Sequence, residues 1–545
     1  MRVAVYNRHW PTMGGGEKFG GGIAQVLSAD HEVDVLAHEP LDLPVFGERL
    51  QLDLSGVKVA VVDDTPGSVA EASRDYDLFI NTSYLSSDYS YSPSSIYVVH
   101  FPTPLGGDAP GWRRRLSRIA RPLLDKVDAV PFEFGTGFYP KAYGRLRSTI
   151  WTDGRGELFV HQSHEKPAQL SLLFSRSRPP QLGPVRVRIE VDGQLARELE
   201  VTPATSRLAR AIPVVLDLPP RRDGRKTSVV IHSDTFVPEQ HGIGSDNRRL
   251  GVPLAGVRAG SRPSRWLQAI SGSLGLSKGG SFVSTYSVVV SNAAFTQHYV
   301  REWWGVDSMV LYPPVSMQEV GEKDHVILSV GRFFPSDRGH SKKQLEMVRV
   351  FRAVYDQGLR GWELHLVGGC SADGADYLAE VRAAAEGLPV VFHIGASGAD
   401  LADLYRRAAI FWSATGLGED ADEHPVRFEH FGITTVEAMS SGAVPIVLAG
   451  GGQIEIVRDG IDGYHFSDEA GLAARTRLVT DDDARRAEMS QAAHARAQDF
   501  SMDRFGERLR VIVDTAVRRA TPATGQPATG TQPPNPAPGE LRTFR

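Results

Sequence analysis

Four groups of residues in this 545-residue chain have the types and spacing that chemistry needs. The first is the pair Glu429 and Glu437 in EHFGITTVEAMSSGAVPIV (429–447). Eight residues of one continuous helix turn about 800°, so the two carboxylates would sit about 80° apart on it. A helix that begins at Gly432 separates them differently. Glu429 then stays in the loop and Glu437 lies one turn inside, while the N–H groups near Ile433, Thr434 and Thr435 point toward an anion. A carboxylate inside that helix suits the two hydroxyls of a ribose, and one in the loop suits sugar hydroxyls. Without such a partner, the two acids are a solvated helix face. The second group is SVGRFFPSDRGHSKKQLEMV (329–348), with Arg332 just after a strand and Lys342-Lys343 opening a helix. A guanidinium fork and a compact ammonium converging there would hold a diphosphate; otherwise they are surface charges. The third is Gly14-Gly15-Gly16, between a strand and a helix. It serves either as a tight turn or as a close backbone approach to a phosphate. Its spacing is neither G-x-G-x-x-G nor G-K-[ST]. The fourth is His100 in YVVHFPTP (97–104), at the end of a strand-like run. It is either structural or a cleft residue.

Those residues need strands that end beside them. RVAVY (2–6), EVDVLA (32–37), VKVAVV (57–62), YDLFINTS (76–83) and SIYVVHF (95–101) are short apolar runs separated by helix-length segments. That pattern predicts a parallel, doubly wound sheet. Residues from about 145 to 262 read differently. VRVRIEVDGQLARELEV (185–201) alternates on both sides of Asp192-Gly193, a strong hairpin signal. Further strand patterns follow without a convincing helix, so this stretch reads as an inserted all-β, sandwich-like module. The α/β pattern then returns in YSVVVSN (286–292), HVILSVGR (325–332), WELHLVGG (362–369), VVFHIGA (390–396), AAIFWSAT (408–415) and AVPIVLA (443–449). A helix-like FGERLRVIVDTAVRR (505–519) closes this second domain. The expected division is 1–144 for the first α/β domain, 145–262 for the module and 263–315 for the rest of the first domain with a linker. It continues with 316–500 for the second α/β domain, 501–519 for the closing helix and 520–545 for a Pro-, Thr- and Gly-rich disordered tail. Ligands bind outside the carboxyl ends of such strands, in the cleft between the two sheets.

Composition narrows the function classes. Lys plus Arg is 60 and Asp plus Glu is 65, a formal charge of −5 that argues against a broad nucleic-acid surface. The single cysteine, Cys370, excludes an intrachain disulfide and a cysteine-based zinc site. No apolar run reaches the roughly 18 residues that span a bilayer. The start MRVAVYNRHW has no signal-peptide pattern, so a cytoplasmic protein is expected. One stretch, WRRRLSRIARPLL (112–124), interleaves arginines with apolar residues. It is either an ordinary amphipathic helix or a peripheral contact with the inner face of an anionic membrane.

Together these motifs carry a resemblance. The 429–447 run resembles the E-x7-E signature of retaining GT-B glycosyltransferases, and VGRF…SKKQLEM resembles their diphosphate clamp. WWGVDSMVLYPPV (303–315) resembles the segment that joins their halves, and HFPTP and GGGEK resemble their N-terminal loops. The set is similar to family 4 glycosyltransferases over roughly 1–140 and 280–515. The resemblance implies a GT-B fold, with two Rossmann-like domains facing across a cleft and the inserted module added to one of them. It implies that Glu437 binds ribose, that Glu429 lies near the donor sugar and that Arg332 with Lys342 or Lys343 grips the diphosphate. Lys342 is favoured, though the adjacent pair leaves the register open. Backbone from Phe431 through Gly432 and Ile433 to Thr434 would reach sugar hydroxyls and phosphate. Gly15 and Gly16 would lie near the phosphates and acceptor, His100 near the donor sugar, and Gly395 in the loop beside the base.

The implied activity is retaining transfer from a UDP- or GDP-linked sugar to a glycan or lipid-linked glycan acceptor, in bacterial surface polysaccharide synthesis. It needs no cofactor and no metal, because cationic side chains neutralise the leaving group. Asp420 and Asp422 read as an acidic rim rather than a metal pair. Trp151, His161 and the Arg-rich loops of the module motivate either a carbohydrate contact or a scaffold. The alternatives are a non-catalytic glycan-binding or assembly protein, and another GT-B enzyme such as a nucleotide-sugar epimerase.

Overall fold

The computed structural model describes residues 1–64, 67–103, 132–139, 149–160, 167–204, 211–218, 220, 226–242, 248–260, 281–335 and 341–520. The cationic stretch 112–124, His161 and the tail beyond 520 lie outside the described residues.

Short Val- and Ile-rich runs form parallel strands because both of their faces are covered. β1 (Arg2–Tyr6), β2 (Glu32–Ala37), β3 (Val57–Val61), β4 (Leu78–Asn81) and β5 (Ser94–Val99) are the first five. In β1, Val3 and Val5 enter one core while Ala4 and Tyr6 enter the core on the opposite face, as the period-two alternation of a strand dictates.

After β5 the chain leaves this sheet. β6 (Phe132–Phe134), β7 (Ile150–Trp151), β8 (Arg155–Val160), β9 (Ala168–Phe174), β10 (Val185–Val191), β11 (Gln194–Val201), β12 (Ile212–Leu218), β13 (Thr227–Ser233) and β14 (Pro253–Gly260) follow. They build two antiparallel sheets, ordered β11-β10-β13-β8-β6 and β12-β9-β14-β7, around one apolar core. β10 turns into β11 at Asp192 and Gly193, whose φ values of +47° and +79° fit the tight hairpin turn such a pair favours. The sandwich begins at β6, which pairs with β8, ahead of the boundary expected near 145.

β15 (Val288–Ser291) and β16 (Met309–Val310) then return and complete an all-parallel sheet, β16-β15-β5-β4-β1-β2-β3. β15 lies directly beside β5. The module therefore interrupts a crossover between neighbouring strands and leaves the first domain at the end of β5 that carries His100.

The second domain contains β17 (Asp324–Val330), β18 (Glu363–Gly368), β19 (Val390–Ile394), β20 (Ala408–Ser413), β21 (Val444–Leu448) and β22 (Tyr464–Phe466). Their order is β19-β18-β17-β20-β21-β22, again all parallel. Two Rossmann-like domains are thus present, the architecture that the GT-B resemblance implies. The closing helix, Met502–Ala520, is placed differently from expectation. Its stripe of Phe505, Leu509, Ile512, Val513 and Ala516 packs into the core of the first domain, not the second. The stripe has helical spacing and needs a core to bury it, and the chain crosses back to reach one. Among the described residues, no helix is long and apolar enough to cross a membrane.

Candidate functional site

The helix Ile433–Ser440 begins directly after Gly432. Gly432 has φ +117°, a left-handed value that a residue without Cβ adopts at little cost. Glu429 therefore stays in the loop and Glu437 lies inside the helix. Gly451 presses on the Glu429 loop: at φ +64°, its Cβ would sit 2.2 Å from the Glu429 carbonyl oxygen. The N–H of Gly452 donates to that same oxygen at 2.7 Å.

The two adjacent lysines go to different places. Lys342 Nζ lies 2.5 Å from Glu429 Oε2, with the two side chains 20% and 16% exposed. The Thr415 hydroxyl approaches the same oxygen at 3.5 Å. The Lys342 stem lies against Gly331, beside Arg332, where an added Cβ would be 2.4 Å from Lys342 Cγ. Lys343, at φ +59°, turns away and is buried. Its Nζ sits 2.8 Å from Glu419 Oε1, and Arg427 holds Glu419 Oε2 at 2.8 Å. Burial raises the Glu419 carboxyl, but the bonds from Lys343 and Arg427 outweigh it and hold the group below its usual value. Arg332 is exposed, with its guanidinium 5.9 Å from the Phe334 ring centroid. Its loop is tied to the next helix by Gln344 Nε2, which donates to the carbonyls of Gly331 and Arg332 at 3.2 and 3.1 Å.

Glu437 has two partners that the sequence did not reveal. Its Oε2 accepts the Tyr405 hydroxyl at 2.9 Å, and its Oε1 lies 3.5 Å from Lys18 Nζ. Lys18 belongs to the helix Gly15–Ser28 of the first domain, so this ion pair crosses the cleft. Glu17 fixes the start of that helix by accepting the Gly14 N–H at 2.7 Å and the Thr12 hydroxyl at 2.8 Å. A Cβ on Gly15 would stand 3.2 Å from Ile433 Cδ1 and one on Gly16 3.6 Å from the His100 ring, so Gly15, Gly16, His100 and Ile433 do converge.

His100 Nε2 lies 2.8 Å from the Thr82 carbonyl oxygen. A carbonyl only accepts, so Nε2 carries the hydrogen and Nδ1 is left as an acceptor. Burial holds the imidazole below its usual value. Two more contacts tie the domains together. Phe101, one residue beyond His100, stacks on His430 with ring centroids 4.1 Å apart. Glu455 accepts the N–H groups of Ala294 and Phe295 at 2.7 and 2.6 Å, together with the Tyr312 hydroxyl at 3.1 Å. Phe431 is buried and stacks on Tyr312. Thr434 is half-buried in the first turn of the helix Ile433–Ser440. Gly395 is exposed just after β19, the outermost strand of the second sheet. Asp420 is engaged within its own loop, accepting the N–H groups of Asp422 and Glu423 at 2.8 and 3.2 Å. Gln453 also went unnoticed in the sequence. Its amide packs on Gly432 and donates to Ser413 at 3.0 Å, while its buried Oε1 has no partner among the described residues.

The arrangement brings the Lys342 ammonium and two helix N-termini to one cleft, with a carboxylate at each end of the E-x7-E run, while the Arg332 guanidinium is exposed and lies by Phe334. Anions are favoured at such N-termini, and polyols are bound well by carboxylates.

Residues 316–496 match the family model described as glycosyl transferases group 1. A sucrose synthase from Acidithiobacillus caldus is 39% identical over 95 residues, which cover 16% of this chain and 12% of that protein. The Mus musculus protein named GDP-Man:Man(3)GlcNAc(2)-PP-Dol alpha-1,2-mannosyltransferase is 26% identical over 243 residues, covering 41% of this chain and 47% of the relative. The chain thus spans less than half the length of these curated relatives. Among solved structures, Anabaena HepE in complex with UDP aligns with a TM-score of 0.49 and 13% identity, over 94% of this chain and 100% of that one.

Proposed function

We propose that this chain, which carries the glycosyl transferases group 1 match over residues 316–496, is a retaining glycosyltransferase of the family 4 type. It moves a sugar from a UDP- or GDP-linked donor to a glycan or lipid-linked glycan acceptor, in the synthesis of a bacterial surface polysaccharide. The observation that carries the reading is the Lys342–Glu429 pair beside the N-terminus of the helix that holds Glu437. The name of the mannosyltransferase relative, with its lipid-linked acceptor, supports the acceptor class.

The donor sugar leaves its diphosphate through an oxocarbenium-like transition state. Charge then grows on the departing phosphate. Lys342, Arg332 and the N–H groups at Ile433 and Thr434 stabilise it, and such fixed donors commonly contribute about 3–4 kcal/mol each. In this reading these cations do the work that a metal ion does elsewhere. Glu437 holds the ribose diol and Glu429 the donor sugar hydroxyls, while His100, neutral near pH 7, faces the sugar from the first domain. The acceptor attacks from the face the phosphate leaves, and its proton passes to a phosphate oxygen.

Nucleotide release from a panel of UDP-, GDP- and ADP-sugars tests the proposal, with Glu429→Ala as control. One donor should be turned over and the variant should be strongly impaired. Equal turnover by the variant removes Glu429 from the mechanism, and no turnover of any donor in the presence of glycan acceptors refutes the activity.

A further inference from the structure

Glu437 has both carboxylate oxygens engaged before any donor arrives: Tyr405 donates to one and Lys18 pairs with the other. A ribose diol that uses both oxygens must displace at least one of these partners. Tyr405 is fixed. It is almost fully buried, burial raises its phenol well above the usual value, so it stays a neutral donor, and the Ser441 hydroxyl holds its backbone carbonyl at 2.7 Å. Lys18 is the partner that can leave. Its ammonium rides on a stem of four rotatable carbons, at a cleft edge where the side chain still keeps 12% of its exposure.

Its destination is set by what surrounds it. The helix Gly15–Ser28 and the helix Ile433–Ser440 bring their N-termini face to face, with Gly15 against the Ile433 side chain. Each leaves unsatisfied N–H groups there. Glu17 is already occupied by the Gly14 N–H and Thr12, and Glu429 by Lys342. A displaced Lys18 therefore has no unpaired carboxylate among these neighbours, and the anion that belongs between two helix N-termini is a phosphate.

We propose that Lys18 is a donor-positioning residue: it neutralises Glu437 in the empty site and passes to the diphosphate of a nucleoside diphosphate donor once the ribose takes that carboxylate. The swap rests on the assignment of Glu437 to ribose made above. It makes the first domain read the phosphates and not the nucleoside, so a diphosphate draws the two domains together while a shorter ligand does not.

Calorimetric titration of UDP, GDP and ADP, and of UMP, GMP and AMP, against wild type, Lys18→Met, Lys18→Arg and Glu437→Gln tests this. Wild type should select one base. For that base, Lys18→Met should weaken diphosphate binding about tenfold or more, the loss expected for one charge-assisted contact. Monophosphate binding should change less than about threefold, or tighten, because the competitor for Glu437 is gone. Lys18→Arg should recover most of the diphosphate affinity, and Glu437→Gln should weaken both ligands. A Lys18→Met protein that loses both ligands equally, or neither, overturns the swap. The underlying reading fails separately, by wild type binding none of the diphosphates or by Glu437→Gln binding both ligands normally.

Discussion

Lys342 and Lys343 are adjacent and chemically identical, yet they have different partners and burial, and their substitution to methionine separates the proposed catalytic role of one from the structural role of the other. Methionine keeps most of the apolar stem, so the Lys342 contact with Gly331 survives while the charge goes. The Lys342–Glu429 pair is partly exposed, and such pairs contribute about 0–1 kcal/mol to stability. Lys342→Met should therefore unfold in urea within about 1 kcal/mol of wild type. Its cost falls on catalysis, where losing one fixed donor to the leaving group lowers turnover by about 10²–10³-fold. Lys343 is the reverse. Its side chain is 7% exposed and its partner Glu419 is 10% exposed. Removing one member of a buried pair costs about 3–5 kcal/mol, and Arg427 remains on the second Glu419 oxygen, so a loss near the bottom of that range is expected. Turnover per folded Lys343→Met molecule should stay within about tenfold of wild type, because the cation points away from Glu429. Urea unfolding followed by circular dichroism, with nucleotide release measured on the same preparations, reads both quantities. If Lys343→Met is as stable as wild type but inactive, while Lys342→Met is unstable but active, the division of roles is wrong.

Two further outcomes follow from the same geometry. Gly451→Ala places a Cβ against the Glu429 carbonyl at a left-handed φ; local strain of about 1–3 kcal/mol is expected, with turnover falling on the order of 10²-fold as the Glu429 loop shifts, and wild-type kinetics would show that this contact does not position Glu429. His100 is held below the usual 6.5 by burial. A depressed folded value means that the stability it contributes is present above 6.5 and is lost as pH falls through the folded pKa. Unfolding at pH 7.5 and pH 5.5 should show a smaller acid loss in His100→Gln than in wild type, and an identical loss in both proteins would contradict the buried neutral imidazole.

Local features of the site were legible because local physics decides them. A glycine before an apolar helical run signals a helix start, and Gly432 followed by Ile433–Ser440 obeys it. Asp192-Gly193 between two alternating runs dictates the β10–β11 hairpin, since both residues must adopt positive φ. The closing helix was legible as a helix but not in its destination. An amphipathic stripe says that a core is needed and does not say which of two cores will receive it.

The fate of the two lysines was not legible for a related reason. Lys342 is decided by Glu429, 87 residues on, and Lys343 by Glu419, 76 residues on. Within a helical turn only the long approach of Lys343 Nζ to Glu346, at 4.0 Å, distinguishes them, and the fold of the second domain supplies the close partners, Glu429 for one lysine and Glu419 for the other. Lys18 extends the point across the whole chain. In sequence it is one more charge after a glycine run, and its proximity to Glu437 arises only because two sheets built at opposite ends of the protein aim their strand ends at one cleft. The Lys18–Glu437 pair is long, at 3.5 Å, lies at the edge of a cleft open to solvent and costs side-chain entropy, so its net contribution to stability is small, about 0–1 kcal/mol. Its position between Glu437, the carboxylate proposed to hold ribose, and two helix N-termini, rather than its strength, makes it a candidate for exchange with a ligand. That is why its removal should be read in the ratio of diphosphate to monophosphate affinity and not in the melting temperature.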